Sequence, residues 1–187
     1  MPSYYELTDD RYHAGRWHLR SPVDEHGQKI NPWQFDAGRW LEPQGIIRFP
    51  VKPDGVELDF SWAAFSILVV SSRFVQLFER LSVPAVQFLP VQVENHARPH
   101  FILNTLRIIR CIDDARCEEV RYWKPEHGQP EKVGEYRSVV GLRIDPTKVE
   151  GARLFRPWGW RVALLVSEDL EDALEREHIT GTRFTEV

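Results

Sequence analysis

A chain of 187 residues is long enough for one domain, and at this length about 70% of the unfolded surface can be buried. Hydrophobic residues make up 42% of it, with seven Trp and ten Phe, which excludes a disordered polypeptide. The net charge of −4 disfavours general affinity for nucleic acid or an anionic membrane, because both need clustered basic residues.

The beginning of the chain, MPSYYELTDD, contains no basic region followed by an apolar run, so it does not predict a secretory signal. The longest apolar runs fall short of the roughly 20 residues that span a bilayer. Two cysteines, Cys111 and Cys117, suit a reducing compartment better than a disulfide framework. The sequence therefore predicts a cytoplasmic protein.

The N-terminal part of the chain is aromatic and irregular. We expect residues 1–45 to form an extension packed on the core, and residues 46–187 to form the main α+β domain. Short strands are predicted near Tyr4–Leu7 and Arg16–Leu19, and another over Ile46–Val51.

The stretch Leu58–Arg110 has the densest apolar content and predicts the centre of the core. A helix is expected over Arg73–Leu81, with Ser71 and Ser72 as candidate N-caps. Its apolar stripe recurs at helical spacing, at Phe74, Leu77, Phe78 and Leu81.

A strand is predicted directly after this helix, over Ala85–Val93, because the periodicity changes to two. One face would carry Gln87, Leu89, Val91 and Val93, and the other Val86, Phe88, Pro90 and Gln92. Pro90 cannot donate to a ladder, so the strand is expected at a sheet edge or bulged there. A polar loop over Glu94–His100 and a second strand over Phe101–Arg110 would complete an antiparallel hairpin.

The C-terminal half adds an exposed loop over Trp123–Gly134 and a helix that Ser167 caps and that ends near Glu177. Four more strands are predicted over Tyr136–Ile144, Ala152–Phe155, Arg161–Val166 and Thr182–Glu186. Neighbouring strands mostly lack a helix-length crossover. The sequence therefore predicts an α+β fold with a largely antiparallel or mixed sheet and two main helices.

One histidine pair could be read as a metal site, namely His96 and His100 with Glu94. Spacing of four residues puts two side chains on one face of a helix, and Pro99 argues against a helix here. We therefore expect a solvated loop and no metal ligand.

A second candidate is Cys111, because carboxylates lie close to it in the sequence. A reactive thiolate needs an electropositive neighbourhood, and the four acids between residues 113 and 119 would instead raise the pKa of the thiol. Cys111 is expected to be a packed core residue, and the sequence predicts no catalytic residue and no cofactor.

Two groups of residues are candidates for binding a protein partner. The first is an acidic segment with four carboxylates, Asp113, Asp114, Glu118 and Glu119, which could steer a basic partner. The second is the pair Trp158 and Trp160, which could serve as aromatic anchors. Two alternatives stay open: a solvated acidic surface, and two Trp in a turn that covers the end of the sheet.

The order of several short segments resembles a known family. These segments are Leu58-Asp59-Phe60, Ser71-Ser72-Arg73, Val86-Gln87-Phe88-Leu89-Pro90-Val91, Phe101-Ile102-Leu103-Asn104, Leu154-Phe155-Arg156, Val166-Ser167 and Ile179-Thr180-Gly181-Thr182-Arg183-Phe184. The series is similar to the eleventh catalogued family of bacterial polymorphic-toxin immunity proteins, formerly a domain of unknown function. The likeness runs from about residue 40 to the end, with Asp36-Ala37-Gly38 extending it upstream.

The resemblance implies a non-enzymatic protein that binds a cognate toxin, encoded by an adjacent gene, and neutralises it by stoichiometric occlusion. Toxins paired with this family are often nucleases, whose basic surface would suit an acidic inhibitor. The resemblance carries over no catalytic residue and no cofactor. The alternative is a small-molecule-binding protein or hydrolase with an unrecognised site, and homo-oligomerisation stays open.

Overall fold

Two five-stranded sheets and two α-helices form the core of the computed structural model, which describes residues 2–187. The strands are β1 (Tyr4–Asp9), β2 (Ile47–Phe49), β3 (Phe60–Ala63), β4 (Ile67–Ser71), β5 (Val86–Val93), β6 (His96–Thr105), β7 (Ile108–Ile109), β8 (Glu119–Tyr122), β9 (Tyr136–Val140), β10 (Leu154–Pro157), β11 (Leu165–Ser167) and β12 (Thr182–Glu186). The helices are α1 (Ser72–Arg80) and α2 (Glu168–Arg176). Short 3-10 helices occupy Pro32–Asp36, Pro125–His127, Pro130–Lys132 and Pro146–Lys148.

Both sheets are mixed. The first has the order β12-β1-β11-β10-β7, the second has the order β2-β5-β6-β4-β3, and β8 and β9 form a separate two-stranded ribbon. Most neighbours are antiparallel, whereas β2 pairs with β5 and β7 with β10 in parallel. The predicted α+β fold with a mixed sheet and two main helices is confirmed.

The two helices pack their apolar faces into a buried cluster that contains residues from both sheets. On α1 the buried side chains are Phe74, Val75, Leu77 and Phe78, and on α2 they are Leu170, Ala173 and Leu174. The Ser71 hydroxyl accepts a hydrogen bond from the backbone N–H of Phe74, so Ser71 is the N-cap of α1. Within residues 2–187, neither helix is long and apolar enough to cross a membrane.

The predicted central hairpin is present, because β5 and β6 pair antiparallel from Val86 opposite Thr105 onward. Of the two predicted faces of β5, the one with Gln87, Leu89, Val91 and Val93 is buried. β5 is an interior strand, but β2 pairs only with its end from Val91 to Val93. Pro90 therefore has a paired neighbour on one side, which a residue without an N–H can accommodate, and the register shifts just beyond it.

The predicted loop over Glu94–His100 is wrong. Glu94 and Asn95 form a tight turn, with Asn95 at φ +62°, and β6 begins immediately afterwards at His96. Asparagine adopts this left-handed conformation more readily than most residues, so the pair can close a two-residue hairpin. The predicted second strand also ends early, since β6 stops at Thr105 and β7 joins the other sheet.

His96 and His100 therefore share a face of a strand, because side chains four residues apart coincide in a period of two as well as in a helix. His100 is fully buried, and its Nε2 lies 3.4 Å from Glu57 Oε1. His96 Nδ1 lies 3.3 Å from Glu57 Oε2, and its Nε2 lies 3.0 Å from Asp54 Oδ1. Trp17 packs against both imidazole rings. The pair is a buried link between residues 54–57 and β6, and the expectation of a solvated position is wrong.

The N-terminal segment supplies one strand of the first sheet and packs side chains against the second. β1 lies between β11 and β12 as an interior strand. The buried Trp17 donates from Nε1 to Ser61 Oγ at 2.8 Å. Residues 16–19, predicted as a strand, make only isolated bridges to Val51 and Val56. The boundary at residue 45 stays a prediction, although part of the proposed extension is a central strand.

One carboxylate connects three segments that are distant in sequence. Asp59 accepts hydrogen bonds from the Ser71 hydroxyl at 2.7 Å and from Arg73 at 3.0 Å. It also accepts the backbone N–H and the hydroxyl of Thr180, at 3.0 and 3.1 Å. Asp59 therefore fixes the start of α1 and the segment before β12 to β3.

Replacing Asp59 with Ala should lower the free energy of unfolding by about 3 kcal/mol, because several donors lose a charged acceptor. Urea denaturation measures this change. Glu79→Ala, at an exposed position on α1, is the matched control and should change stability by less than about 0.5 kcal/mol. Equal effects of the two substitutions would contradict the assigned role of Asp59.

Stability should also depend on pH through His100. Burial lowers the pKa of His100 below its ordinary value of 6.5, and the Glu57 carboxylate opposes this shift. As pH falls, the unfolded chain takes up a proton before the folded chain does, so the free energy of unfolding should decrease below about pH 6.5. Urea denaturation at about pH 7.5 and about pH 5.5 should show this decrease, and His100→Gln should make it smaller. The control is His18→Gln at an exposed position, and an unchanged pH dependence in His100→Gln would refute the assignment.

Candidate partner-binding site

An aromatic cleft of about 440 Å³ lies between the N-terminal segment, the β8–β9 ribbon and the connection from β10 to β11. Its aromatic lining residues are Trp33, Trp123, Tyr136 and Trp160. Its charged lining residues are Asp36, Glu131, Lys132, Glu135, Arg137 and Arg161. Such a mixture of Trp, Tyr and Arg is typical of the energetically dominant part of a protein interface.

One side of the cleft has an exposed aromatic pair, of which Trp33 lines the cleft and Phe65 adjoins it through Trp33. Trp33 lies in the 3-10 helix Pro32–Asp36, where the Asn31 side chain accepts its backbone N–H at 3.1 Å. Its ring stacks on Phe65, with centroids 5.1 Å apart and planes 11° apart. Trp33 is 48% exposed and Phe65 is 65% exposed. Large apolar side chains that are held in place and left in water are candidates for contact with another molecule.

A buried polar cluster fixes this side of the cleft from below. Asp36 is only 4% exposed and accepts the Ser66 hydroxyl at 2.8 Å. The fully buried Arg156 donates to the carbonyl of Ser66 at 2.9 Å and to that of Arg161 at 2.6 Å. The guanidinium therefore joins the turn that carries Phe65 to the wall that carries Arg161. Burial lowers the pKa of Arg156 to about 10, and nearby Asp36 opposes the shift, so the group stays charged at neutral pH.

The opposite wall is the ribbon. The side chains of Lys132 and Arg137 lie over the ring of Trp123, at 5.1 and 5.6 Å from its centroid. The Tyr136 hydroxyl donates to Asp114 at 2.6 Å, and burial together with this bond raises the pKa of Tyr136 above its usual value. Tyr136 therefore remains a protonated donor, anchored at the edge of the cleft.

The ribbon contacts the third wall of the cleft, the connection from β10 to β11, at Gly159. The backbone N–H of Tyr136 donates to the carbonyl of Gly159 at 3.1 Å. Gly159 has φ +77°, and a Cβ there would lie 3.0 Å from Cδ2 of Tyr136. A side chain at this position would be strained and would crowd the Tyr136 ring. Glycine thus permits the close approach that joins these two walls.

Only some of the sequence-predicted partner residues lie at this cleft. Trp160 lines it. Trp158 does not line it, and the Arg110 guanidinium lies over its ring at 3.6 Å from the centroid. Asp114 reaches the cleft indirectly, since it accepts the Tyr136 hydroxyl. Whether these residues bind a partner stays a prediction.

The other predicted acids are placed in different surroundings. Asp113 is half-buried, whereas Glu118 and Glu119 are exposed, and Glu119 is paired with Arg121. Asp114 accepts a second hydroxyl as well, from Tyr122. The four carboxylates are therefore not one uncommitted patch, because two of them already have partners within the chain.

Cys111 is a buried core residue, as predicted. The pKa of its thiol is raised, also as predicted, but the cause differs from the expected one. Burial is the largest cause that raises the pKa of the thiol to about 12, and Asp145 adds to it while Lys148 opposes it. The acids between residues 113 and 119 are not the cause. The thiol is therefore protonated and inert at neutral pH.

Five acids lie on α2, namely Glu168, Asp169, Glu171, Asp172 and Glu175. Asp169 pairs with Arg153 at 2.6 Å, and Glu177 just beyond the helix pairs with Arg80 at 2.8 Å. Partial burial raises the pKa of Glu171, and the neighbouring carboxylates of α2 add to the shift. Among residues 2–187, no group of three or more His, Cys, Asp or Glu could hold a metal ion.

Sequence reasoning missed most of the cleft. The aromatic lining residues that it did not single out, Trp33, Trp123 and Tyr136, are spread over more than half of the chain and share no motif. The sequence indicated only one part of the cleft, because Trp123 begins a loop that is predicted to be exposed. No local pattern indicates that this loop faces the segment around Trp33.

No curated protein matches this chain. The model of the immunity protein family (Imm11) matches residues 6–187, which is essentially the whole chain. The match begins far upstream of residue 40, where the sequence resemblance was expected to start, and it includes Trp33 and Asp36 of the cleft. The chain therefore belongs to the Imm11 family of immunity proteins, which act in toxin systems.

Proposed function

We propose that this protein neutralises its cognate toxin by stoichiometric occlusion in the cytoplasm of the producing cell, with the aromatic cleft at the centre of the interface. Family membership supports an immunity role and a toxin partner. The observation that carries the assignment to the cleft is the exposed Trp33–Phe65 stack on a rigid, buried support. No cofactor is needed for such a function.

The cleft suits an interface for two physical reasons. First, burying the exposed faces of Trp33 and Phe65 removes apolar surface from water, at about 25 cal/mol for each Å². Second, the contacts of Asp36, Ser66 and Arg156 already hold both ring-bearing segments in place. Little conformational freedom is then lost on binding, which leaves more of the contact energy as affinity.

The alternative function, a hydrolase, would need a nucleophile, and Cys111 is not a suitable one. Catalysis by Cys111 would need a thiolate that substrate can reach. Cys111 is fully buried, and burial raises its pKa to about 12. The family points to a non-enzymatic role.

We further propose that the toxin presents a basic surface, as a nuclease does where it contacts phosphate. The net charge of −4 and the carboxylates of α2 support this. Negative charge near an interface accelerates encounter with a basic partner, and salt screens the effect.

The decisive experiment is co-expression with the toxin encoded by the adjacent gene. We expect rescue of growth, a stable one-to-one complex, and loss of toxin activity in proportion to bound immunity protein. Full toxicity in cells that contain abundant immunity protein would refute the proposal.

In the same complex, the double substitution Trp33→Ala and Phe65→Ala should weaken toxin binding by about 2 kcal/mol or more, roughly 30-fold, because it removes the central anchors. The matched control is Trp40→Ala, at a Trp that is 63% exposed and does not line the cleft. Binding titrations measure both, and thermal unfolding checks that each variant is folded. Equal losses in the two proteins would exclude the cleft as the centre of the interface.

The predicted acidic segment should act on association rate. Replacing Glu118 and Glu119 with Gln should slow association and flatten its dependence on salt, while dissociation changes little. Asp114 is left unchanged because its loss would remove the acceptor of the Tyr136 hydroxyl. Stopped-flow mixing at several salt concentrations measures the effect, and the matched control is Glu42→Gln with Glu79→Gln, at two exposed acids outside both acidic groups. Unchanged kinetics would remove residues 118 and 119 from the interface.

A further inference from the structure

The floor of the aromatic cleft contains a carboxylate that is only partly satisfied. Asp36 accepts the Ser66 hydroxyl with Oδ2. Within residues 2–187, Oδ1 receives no hydrogen bond and no ion pair joins the carboxylate to a basic side chain. Oδ1 is not among the fully enclosed side-chain atoms that lack a partner, so water in the cleft can reach it. This oxygen can therefore accept a hydrogen bond from a group that enters the cleft.

The nearest buried cation does not supply that donor. Both terminal nitrogens of Arg156 donate to backbone carbonyls, those of Ser66 and Arg161. Its Nε is buried and has no partner. Arg156 thus offsets part of the charge of Asp36 through space, while the hydrogen-bonding capacity of Oδ1 stays unused.

The walls above Asp36 are aromatic, and aromatic faces attract cations. The ribbon already shows this preference, because Lys132 and Arg137 lie over Trp123. Trp33 and Trp160 line the cleft without such a partner among the described residues.

The remaining charges on the rim are committed to each other or lie in water. Arg161 lies 3.9 Å from Glu135, and Glu131 is exposed. The basic residues that line the cleft are therefore engaged at the ribbon and the rim, and none of them pairs with Asp36. A cationic group of a partner that enters the cleft would contact the carboxylate of Asp36 between aromatic side chains.

We propose that the cleft receives an arginine side chain of the toxin, with its guanidinium paired to Asp36 and stacked on the indole rings that line the cleft. This inference rests on the proposed function and names the chemistry that the cleft recognises. Arginine suits the site better than lysine, because a planar guanidinium can stack on a ring and donate to a carboxylate at once. An apolar side chain would instead seal the open oxygen of Asp36 away from water.

The test uses the free, unmodified protein and two small probes. N-acetyl-arginine amide and N-acetyl-citrulline amide have nearly the same shape, but only the first is charged. Nuclear magnetic resonance follows the indole N–H signals, with the buried Trp17 as an internal reference. We expect saturable shifts at Trp33 and Trp160 with the arginine probe, and about tenfold weaker binding of the citrulline probe.

Asp36→Asn should reduce binding of the arginine probe to the level of the citrulline probe, because the amide oxygen can still accept the Ser66 hydroxyl but carries no charge. Equal binding of the two probes by the unmodified protein, or shifts at Trp17 alone, would overturn the proposal. If Asp36→Asn does not fold, the comparison of the two probes on the unmodified protein still decides.

The outcome is separable from that of the proposed function. If the probes bind alike while Trp33→Ala with Phe65→Ala still weakens the toxin complex, the arginine site is refuted and the interface stands. If the arginine probe binds selectively while those substitutions leave the complex unchanged, the cleft recognises arginine but is not the toxin interface.

Discussion

The buried charge of Arg156 is the constraint on which the candidate site depends. Moving a guanidinium out of water is unfavourable by several kcal/mol unless its donors find acceptors. Here the acceptors are backbone carbonyls of two different segments, Ser66 in the β3–β4 turn and Arg161 in the β10–β11 connection. Neither segment can move away without leaving a buried charge unsatisfied. The aromatic cleft above them therefore has walls whose positions are fixed by the core.

Hydrogen bonds from polar side chains to the backbone also join other segments that are distant in the sequence. Gln87 exchanges two hydrogen bonds with the backbone of Leu41, at 2.7 and 3.0 Å. Asn104 donates to Gln87 and to the carbonyl of Arg39. These amides hold the N-terminal segment on the second sheet, as Asp59 holds α1. Several polar residues of the family-like segments thus connect elements, so the resemblance reflects how this chain is held together more than where it binds.

Local patterns predicted what local interactions determine. The stripe at Phe74, Leu77 and Phe78 predicts α1 because one face of a helix must be buried, and this holds in the structure. The alternation in β5 was equally informative about the strand, and the structure shows which of its two faces is buried. The first half of β6 was mistaken for a loop because its residues are polar. The burial of His100 in this half depends on Glu57 and Trp17, which lie far away in the sequence. The cleft was missed for the same reason, as tertiary packing alone brings Trp33 towards Trp160.

In the proposed function, affinity and rate of encounter belong to different parts of the surface. The cleft contains as many basic as acidic lining residues, so it exerts little attraction at long range. The carboxylates of α2 and of the segment before β8 act over roughly a Debye length, about 8 Å at physiological salt, and orient an approaching basic protein. Contact energy then comes from desolvated rings and from one open carboxylate in a rigid frame. Because these contributions lie on separate elements, substitutions in the acids can tune how fast a toxin is captured without altering the walls that decide which side chain is accepted.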